Sequence, residues 1–186
     1  MIKMTRGPIP GGKEGSEHYF RPEDQEEFRL AQLLLLLEVA KEANVTPSIE
    51  RLGVLDFFSA NPFLVIQPDD SEYRDLVLAG FSVKPLTYAS PGHRFVTRRS
   101  RLQSDLALLI AYGLAVPATS AGHRVYRISE AGKTAASQLS SIYAQAYRAS
   151  VEMIVKRVRK IPDSKLPDFC RQWLQADPAM LDLLNV

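Results

Sequence analysis

The stretch LALLIAYGLAVPATSAGHRVYRISEAGKTAA, Leu106 to Ala136, decides the fold. It begins inside an apolar helix. Over Thr97 to Leu114, the residues Leu102, Leu106, Leu109, Ile110 and Gly113 recur at i, i+4, i+7, i+8 and i+11, which is the spacing of one helical face. Gly113 marks the end of that helix. Ala115 to Ala118, the turn TSAGH with Gly122, and the alternation of Arg124 to Ile128 then predict a short two-stranded hairpin. Its apolar residues, Val125 and Ile128, should lie on a helical core while the tip stays polar. Ser129, followed by Glu130, caps a last long helix carrying Leu139, Ile142, Ala146 and Met153, which is expected to run to Arg159 before Ile161-Pro162 breaks it.

Working outward, Gly7, Pro8, Pro10, Gly11, Gly12 and Gly15 make residues 1–24 a flexible arm. Asp24 reads as the N-cap of a helix from Gln25 to Ala43. Its Phe28, Leu30, Leu33, Leu34, Leu37 and Val39 are too many for one narrow stripe, so the helix is buried on two sides, centrally in the fold or against a second protein. Phe28, Leu33 and Leu36 are therefore candidate partner contacts. After a turn at Asn44 to Pro47, Ser48 caps a second helix with Leu52, Val54, Leu55 and Phe58 on its apolar face, stopped by Pro62. Residues 62–96 read as an insertion with a short helix around Tyr73 to Ala79 and a loop from Pro85 to Gly92. The tail, 161–186, holds two short helices, Lys165 to Gln175 and Ala179 to Leu184. Trp173 and Leu181 on its apolar side are the second set of candidate partner contacts, although a tail that packs back on the domain has the same pattern.

Helix, helix, helix, hairpin, helix is the order of a winged helix-turn-helix. The fold expected is mainly α with a small β-hairpin. A winged-helix core spans 25–160, between the arm and the C-terminal helical tail.

The 186 residues are 46% hydrophobic and 24% charged, enough to build a core. The single cysteine, Cys170, excludes an internal disulfide framework and fits a reducing compartment. No apolar run approaches the roughly 20 residues needed to span a bilayer, and the first twenty residues lack a signal-peptide core, so the expected location is cytoplasmic. The charge is unevenly distributed. Residues 1–89 carry 9 Lys/Arg against 14 Asp/Glu, whereas residues 90–160 carry 12 against 3. Arg94, Arg98, Arg99 and Arg101 cluster at the expected start of the third helix, and Arg124 and Arg127 on the wing. These six are the candidate nucleic-acid contacts, since a winged helix lays its third helix in the major groove and its wing on phosphate. A solvated helix face, or one that grips an acidic protein, would look the same.

Catalytic chemistry is not legible. His18, His93 and His123 fall in expected loops or the arm without metal-ligand spacing. Asp69-Asp70 lacks a third ligand and suits a helix cap. The GGKEG at Gly11 lacks the spacing and flanking strand of a phosphate loop. Cys170, between Phe169 and Trp173 on an apolar turn, reads as a structural thiol. No enzyme and no cofactor are expected.

Three further runs carry a resemblance: FRLAQLLLLLEVA (28–40), IERLGVLDFFSANP (49–62) and LTYASPGHRFVTRRSRLQSDLALLIAYGLA (86–115). With the wing and its following helix they resemble the middle-component proteins of bacterial three-component ABC-ATPase systems, including Lamassu-type anti-phage systems. The most telling parts are LDFF at Leu55 to Phe58 and the block Ser90 to Leu109, and the likeness covers about 28–160. It implies a non-catalytic winged-helix accessory subunit. Such a subunit would bridge an SMC/Rad50-like ATPase and an effector subunit, with double-stranded DNA as a further partner. The rival reading is a homodimeric winged-helix transcription regulator, which needs two recognition helices one turn of DNA apart.

Overall fold

Helix α1 (Glu26–Glu42) runs through the middle of the fold, because its leucines leave it no polar side to turn outward. Leu33 to Leu37 are each no more than 4% exposed, and they cover every direction around the axis. The computed structural model describes residues 22–83 and 90–175. Around α1 lie α2 (Ile49–Ala60), α4 (Pro91–Ala111), the hairpin β1–β2 (Ala115–Ser120 and His123–Ile128), α5 (Glu130–Gln138) and α6 (Ile142–Val158). The short α3 (Tyr73–Leu78) and the final α7 (Leu166–Gln175) pack at the periphery. Of the two positions open to α1 on sequence, the structure takes the central one. Leu33 and Leu36 are thus core residues and not partner contacts.

Local chemistry sets the boundaries. Ser48 Oγ accepts from Arg51 N and starts α2, as the sequence suggests. Helix α4 begins six residues before the expected Thr97. Ser90 Oγ accepts from His93 N, and Pro91 takes the first helical position, where its missing N–H costs nothing. Arg98, Arg99 and Arg101 therefore lie in the second and third turns of α4, not at its start. At the other end Gly113, with φ of 71°, supplies a left-handed cap: Leu114 N–H donates to Leu109 O and Gly113 N–H to Ile110 O. Gln25, not Asp24, is the N-cap of α1, and it makes no side-chain cap bond.

The expected long helix after the hairpin is two helices. Leu139 leaves helical backbone after α5, and Ser141 Oγ accepts from Ala144 N to start α6. Arg148 spans the break, donating to Leu139 O and Ala136 O. The described part of the 62–96 segment is anchored to the domain. Leu64, Val65, Ile66 and Leu76 enter the core, and Arg157 of α6 pairs with Asp70 and Glu72. Helices α2 and α6 cross closely over two small residues, with Ser150 Oγ donating to Ser59 O at 2.7 Å.

The hairpin pairs Ala115 with Ile128 through Ser120 with His123, and it turns at Ala121 and Gly122, both at positive φ, which is the tight two-residue form. Tyr126 N–H donates to Pro47 O, so the strand is tied to the α1–α2 turn. Its base is closed more tightly still. Ser129 N–H donates to Leu114 O, Ser129 Oγ to Gly113 O, and Gly132 N–H to Ser129 Oγ. Gly132 then sits directly on that strand entry. A Cβ there would lie 2.1 Å from Leu114 O and 2.8 Å from Ile128 Cγ1. That contact explains the glycine in the quoted SEAGK run.

Gly132→Ala should lower stability by about 2–3 kcal/mol through this backbone clash. Gly92→Ala, where an added Cβ meets nothing within 4 Å, should be neutral or stabilising by under about 1 kcal/mol. Urea denaturation of both variants checks the contrast, and equal midpoints would remove the packing argument.

Candidate partner interface

The helices meet across a layer of buried polar groups. Arg98 of α4 donates from Nε and Nη2 to the two carboxylate oxygens of Asp56 on α2, the second bond at 2.8 Å. The same Nη2 donates to Gln32 Oε1 on α1 at 2.7 Å, and Gln32 Nε2 donates to the Tyr143 hydroxyl on α6. Burial opposes the charge on Arg98, but the adjacent Asp56 outweighs it, so the guanidinium is held above its ordinary value and stays charged. Beneath it lies Tyr147, whose burial, with the Asp56 charge nearby, keeps its phenol well above the usual range. A second rung joins α1 to α4, where Arg29 Nε and Nη2 donate to Asp105 at 2.8 and 2.9 Å.

Arg98 is therefore not a nucleic-acid contact. Its side chain is 14% exposed and all its hydrogen bonds point inward. Arg94 donates from Nη1 to Asn61 Oδ1 at 2.7 Å and lies over the Phe57 ring. Arg101 pairs with Asp24 at 3.0 Å. Arg99, Arg124 and Arg127 are exposed, and no hydrogen bond or ion pair joins them to another described residue. Part of the basic stretch of the sequence is thus matched by acids of the same chain. Arg98, Arg101, Arg148 and Arg157 meet Asp56, Asp24, Glu38, Asp70 and Glu72, all from the acidic first half.

The sequence also gave no role to Arg51, which here ends a helix. It donates to Val158 O and Ile161 O at the C-terminus of α6 and pairs with Asp163. Such a side chain satisfies carbonyls that the helix itself leaves open.

Two surfaces remain. The first joins the N-terminal ends of α1 and α6. The Phe28 ring lies 5.1 Å from that of Tyr143, and Ile142, which precedes Tyr143 in α6, is 85% exposed. The second is a cleft of about 1170 Å3 between α4, α7, the hairpin and the start of α2. Val54, Phe95, Leu106, Ile110 and Leu174 line it, with Arg99 and Arg124 among the polar residues at its wall. Trp173 faces the core side of α7 and meets Phe58 edge-on at 5.1 Å, so this candidate contact packs on its own domain. Leu181 and the expected helix Ala179 to Leu184 lie outside the described residues, as does His18. Among the described residues no group of three His, Cys, Asp or Glu could hold a metal ion, and no helix is long and apolar enough to cross a membrane.

Removing one partner of the Arg98–Asp56 pair should cost about 3–5 kcal/mol, because the other charge stays buried. Replacing both, as Asp56→Leu with Arg98→Met, should cost far less than the sum of the single losses. A double-mutant cycle in urea decides this, and additive losses would mean the pair is not coupled. Cys170 gives a further check. Burial pushes its thiol up to about 11, so at pH 8 it should react with an aromatic disulfide about 100-fold more slowly in the folded than in the unfolded chain. By linkage, the stability from this protonated thiol is present below about pH 9 and is lost as pH rises through about 11. Equal reaction rates would exclude the burial.

No curated protein and no solved structure matches the chain. One family model does, over residues 29–177, which runs from the first turn of α1 through the end of α7 and takes in the cleft, Ile142 and Tyr143. The chain belongs to the family of the ABC-three component (ABC-3C) system Middle Component 2.

Proposed function

We propose that this middle component is a non-catalytic accessory subunit with a winged helix-turn-helix body. It docks on the SMC/Rad50-like ATPase of its system in the bacterial cytoplasm, bridges it to an effector subunit, and serves anti-phage defence. The order α1, α2, α4, hairpin supports the winged-helix reading. The likeness of its LDFF and Ser90 to Leu109 blocks to middle components of Lamassu-type systems supports the assignment to defence.

The observation that carries the docking role is the apolar patch of Phe28, Ile142 and Tyr143. Ile142 is 85% exposed, and the next residue, Tyr143, is 43% exposed and meets the Phe28 ring, so this end of α6 is ready to be buried by a partner. Protein contact is favoured over base reading because Arg94, Arg98 and Arg101 of α4 are engaged within the fold. Any DNA contact falls to Arg99, Arg124 and Arg127. Three cations give weak binding, with a logarithmic salt slope of only about −3. The same engagement disfavours a homodimeric regulator, which would need those side chains free at the groove.

Co-expression of the tagged chain with its system's ATPase, followed by affinity purification, tests the role. The ATPase should be recovered in stoichiometric amount. Ile142→Asp should reduce that recovery at least tenfold with an unchanged melting temperature, as expected at a buried hot spot of about 2 kcal/mol or more. A homodimer that retains no ATPase would overturn the proposal.

A further inference from the structure

The cleft between α4, α7 and the hairpin does not form part of the docking patch, and its construction says what fills it. Its apolar wall is long. Phe95 to Ile110 of α4 covers sixteen residues, or about 22 Å of helix from first to last. Helix α7 forms the facing wall and presents Leu166, Cys170 and Leu174 at i, i+4 and i+8. Arg99 and Arg124 stand at this apolar surface with no hydrogen bond or ion pair to another described residue. Asp163 at the same wall is paired with Arg51, and Arg171 with Asp168, which leaves Glu50 as one acid against the two arginines. An occupant should therefore be apolar along one side and acidic where it meets Arg99 and Arg124.

We propose that the occupant is the chain's own segment 176–186, ADPAMLDLLNV. Three observations support it. Helix α7 ends at Gln175, one residue after Leu174 on the cleft wall, so the segment starts at the cleft. Its eleven residues reach about 16 Å as a helix, or about 36 Å extended, enough to run along α4 in either form. Its chemistry is also complementary. Asp177 before Pro178 is a helix-start signal, and Met180, Leu181, Leu183 and Leu184 then share one broad helical face with Asp182 opposite. Asp177 and Asp182 are its only charged side chains, so it meets Arg99 and Arg124 without like-charge repulsion. Docked there, the segment covers both arginines and the Cys170 edge of the cleft. It is thus a built-in occupant that withholds this surface from other ligands.

Hydrogen–deuterium exchange on the full chain tests this without any partner protein, so its result is separate from that of the ATPase experiment. Amides of 179–186 should exchange at least tenfold more slowly than in an unstructured peptide of the same sequence. Leu181→Asp with Leu184→Asp should abolish that protection, as should Arg99→Glu with Arg124→Glu. Both pairs should also speed the labelling of Cys170 several-fold. These arginines are exposed, so their replacement leaves the fold intact, and a melting curve verifies it. Exchange of 179–186 at the unstructured rate in the native chain would overturn the proposal. Protection that survives both pairs of substitutions would place the segment elsewhere and also overturn it. Protection that rises with protein concentration would assign the cleft to a second copy's tail, against docking within one chain.

Discussion

The guanidinium of Arg98 sits where three helices cross, and its need for partners constrains all of them. A charge removed from water is tolerated only if its hydrogen bonds are completed with good geometry. Asp56 supplies a two-pronged acceptor from α2 and Gln32 a third acceptor from α1. Apolar surfaces can slide past each other by an ångström at small cost, whereas a two-pronged carboxylate contact cannot. The leucines of α1 give the core its bulk, and the polar layer fixes the register in which α1, α2 and α4 pack. The Gln32 bond to Tyr143 extends the same constraint to α6.

Arginine recurs as the connector. Arg51 from α2 closes the end of α6, and Arg148 from α6 closes the end of α5 while pairing with Glu38 of α1. Each joins two or three elements that are far apart in sequence. A chain that looks like an acidic half followed by a basic segment is thereby folded so that the two meet at Arg98, Arg101, Arg148 and Arg157. The linear charge pattern points to an external polyanion, and in the folded molecule these four of its twelve basic residues pair with acids of the first half.

This accounts for what could and could not be read from the residues. Caps and stops are local, so Ser48, Pro62, Gly113 and the Gly122 turn placed their elements within a residue or two. The start of α4 is ambiguous in the sequence because Ser90-Pro91 suits a loop and a helix start equally, and the structure takes the second. The break at Leu139 is hidden in the sequence because the apolar spacing continues across Ser140-Ser141. Burial of an arginine is not local at all. Its only trace lay in the partner acids, since Asp56 and Asp105 each interrupt an apolar stripe where a charge is otherwise out of place. Phe28 is half-buried at the N-terminal end of α1, whereas Leu33 and Leu36 lie in the core. A helix wrapped on all sides by its own chain and one covered by a partner carry the same residues.

The closed base of the hairpin divides that element into a part that cannot change and a part that can. Gly113, Leu114, Ser129 and Gly132 interlock through backbone and hydroxyl bonds, and no longer side chain fits at Gly132. The tip at Ala121-Gly122 is exposed, and an added Cβ at Gly122 meets nothing within 4 Å. Lengthening the tip adds only a slowly growing loop-closure entropy and leaves the base untouched. The hairpin tip can therefore be extended or shortened without disturbing its base, which gives the same body a way to suit different neighbours.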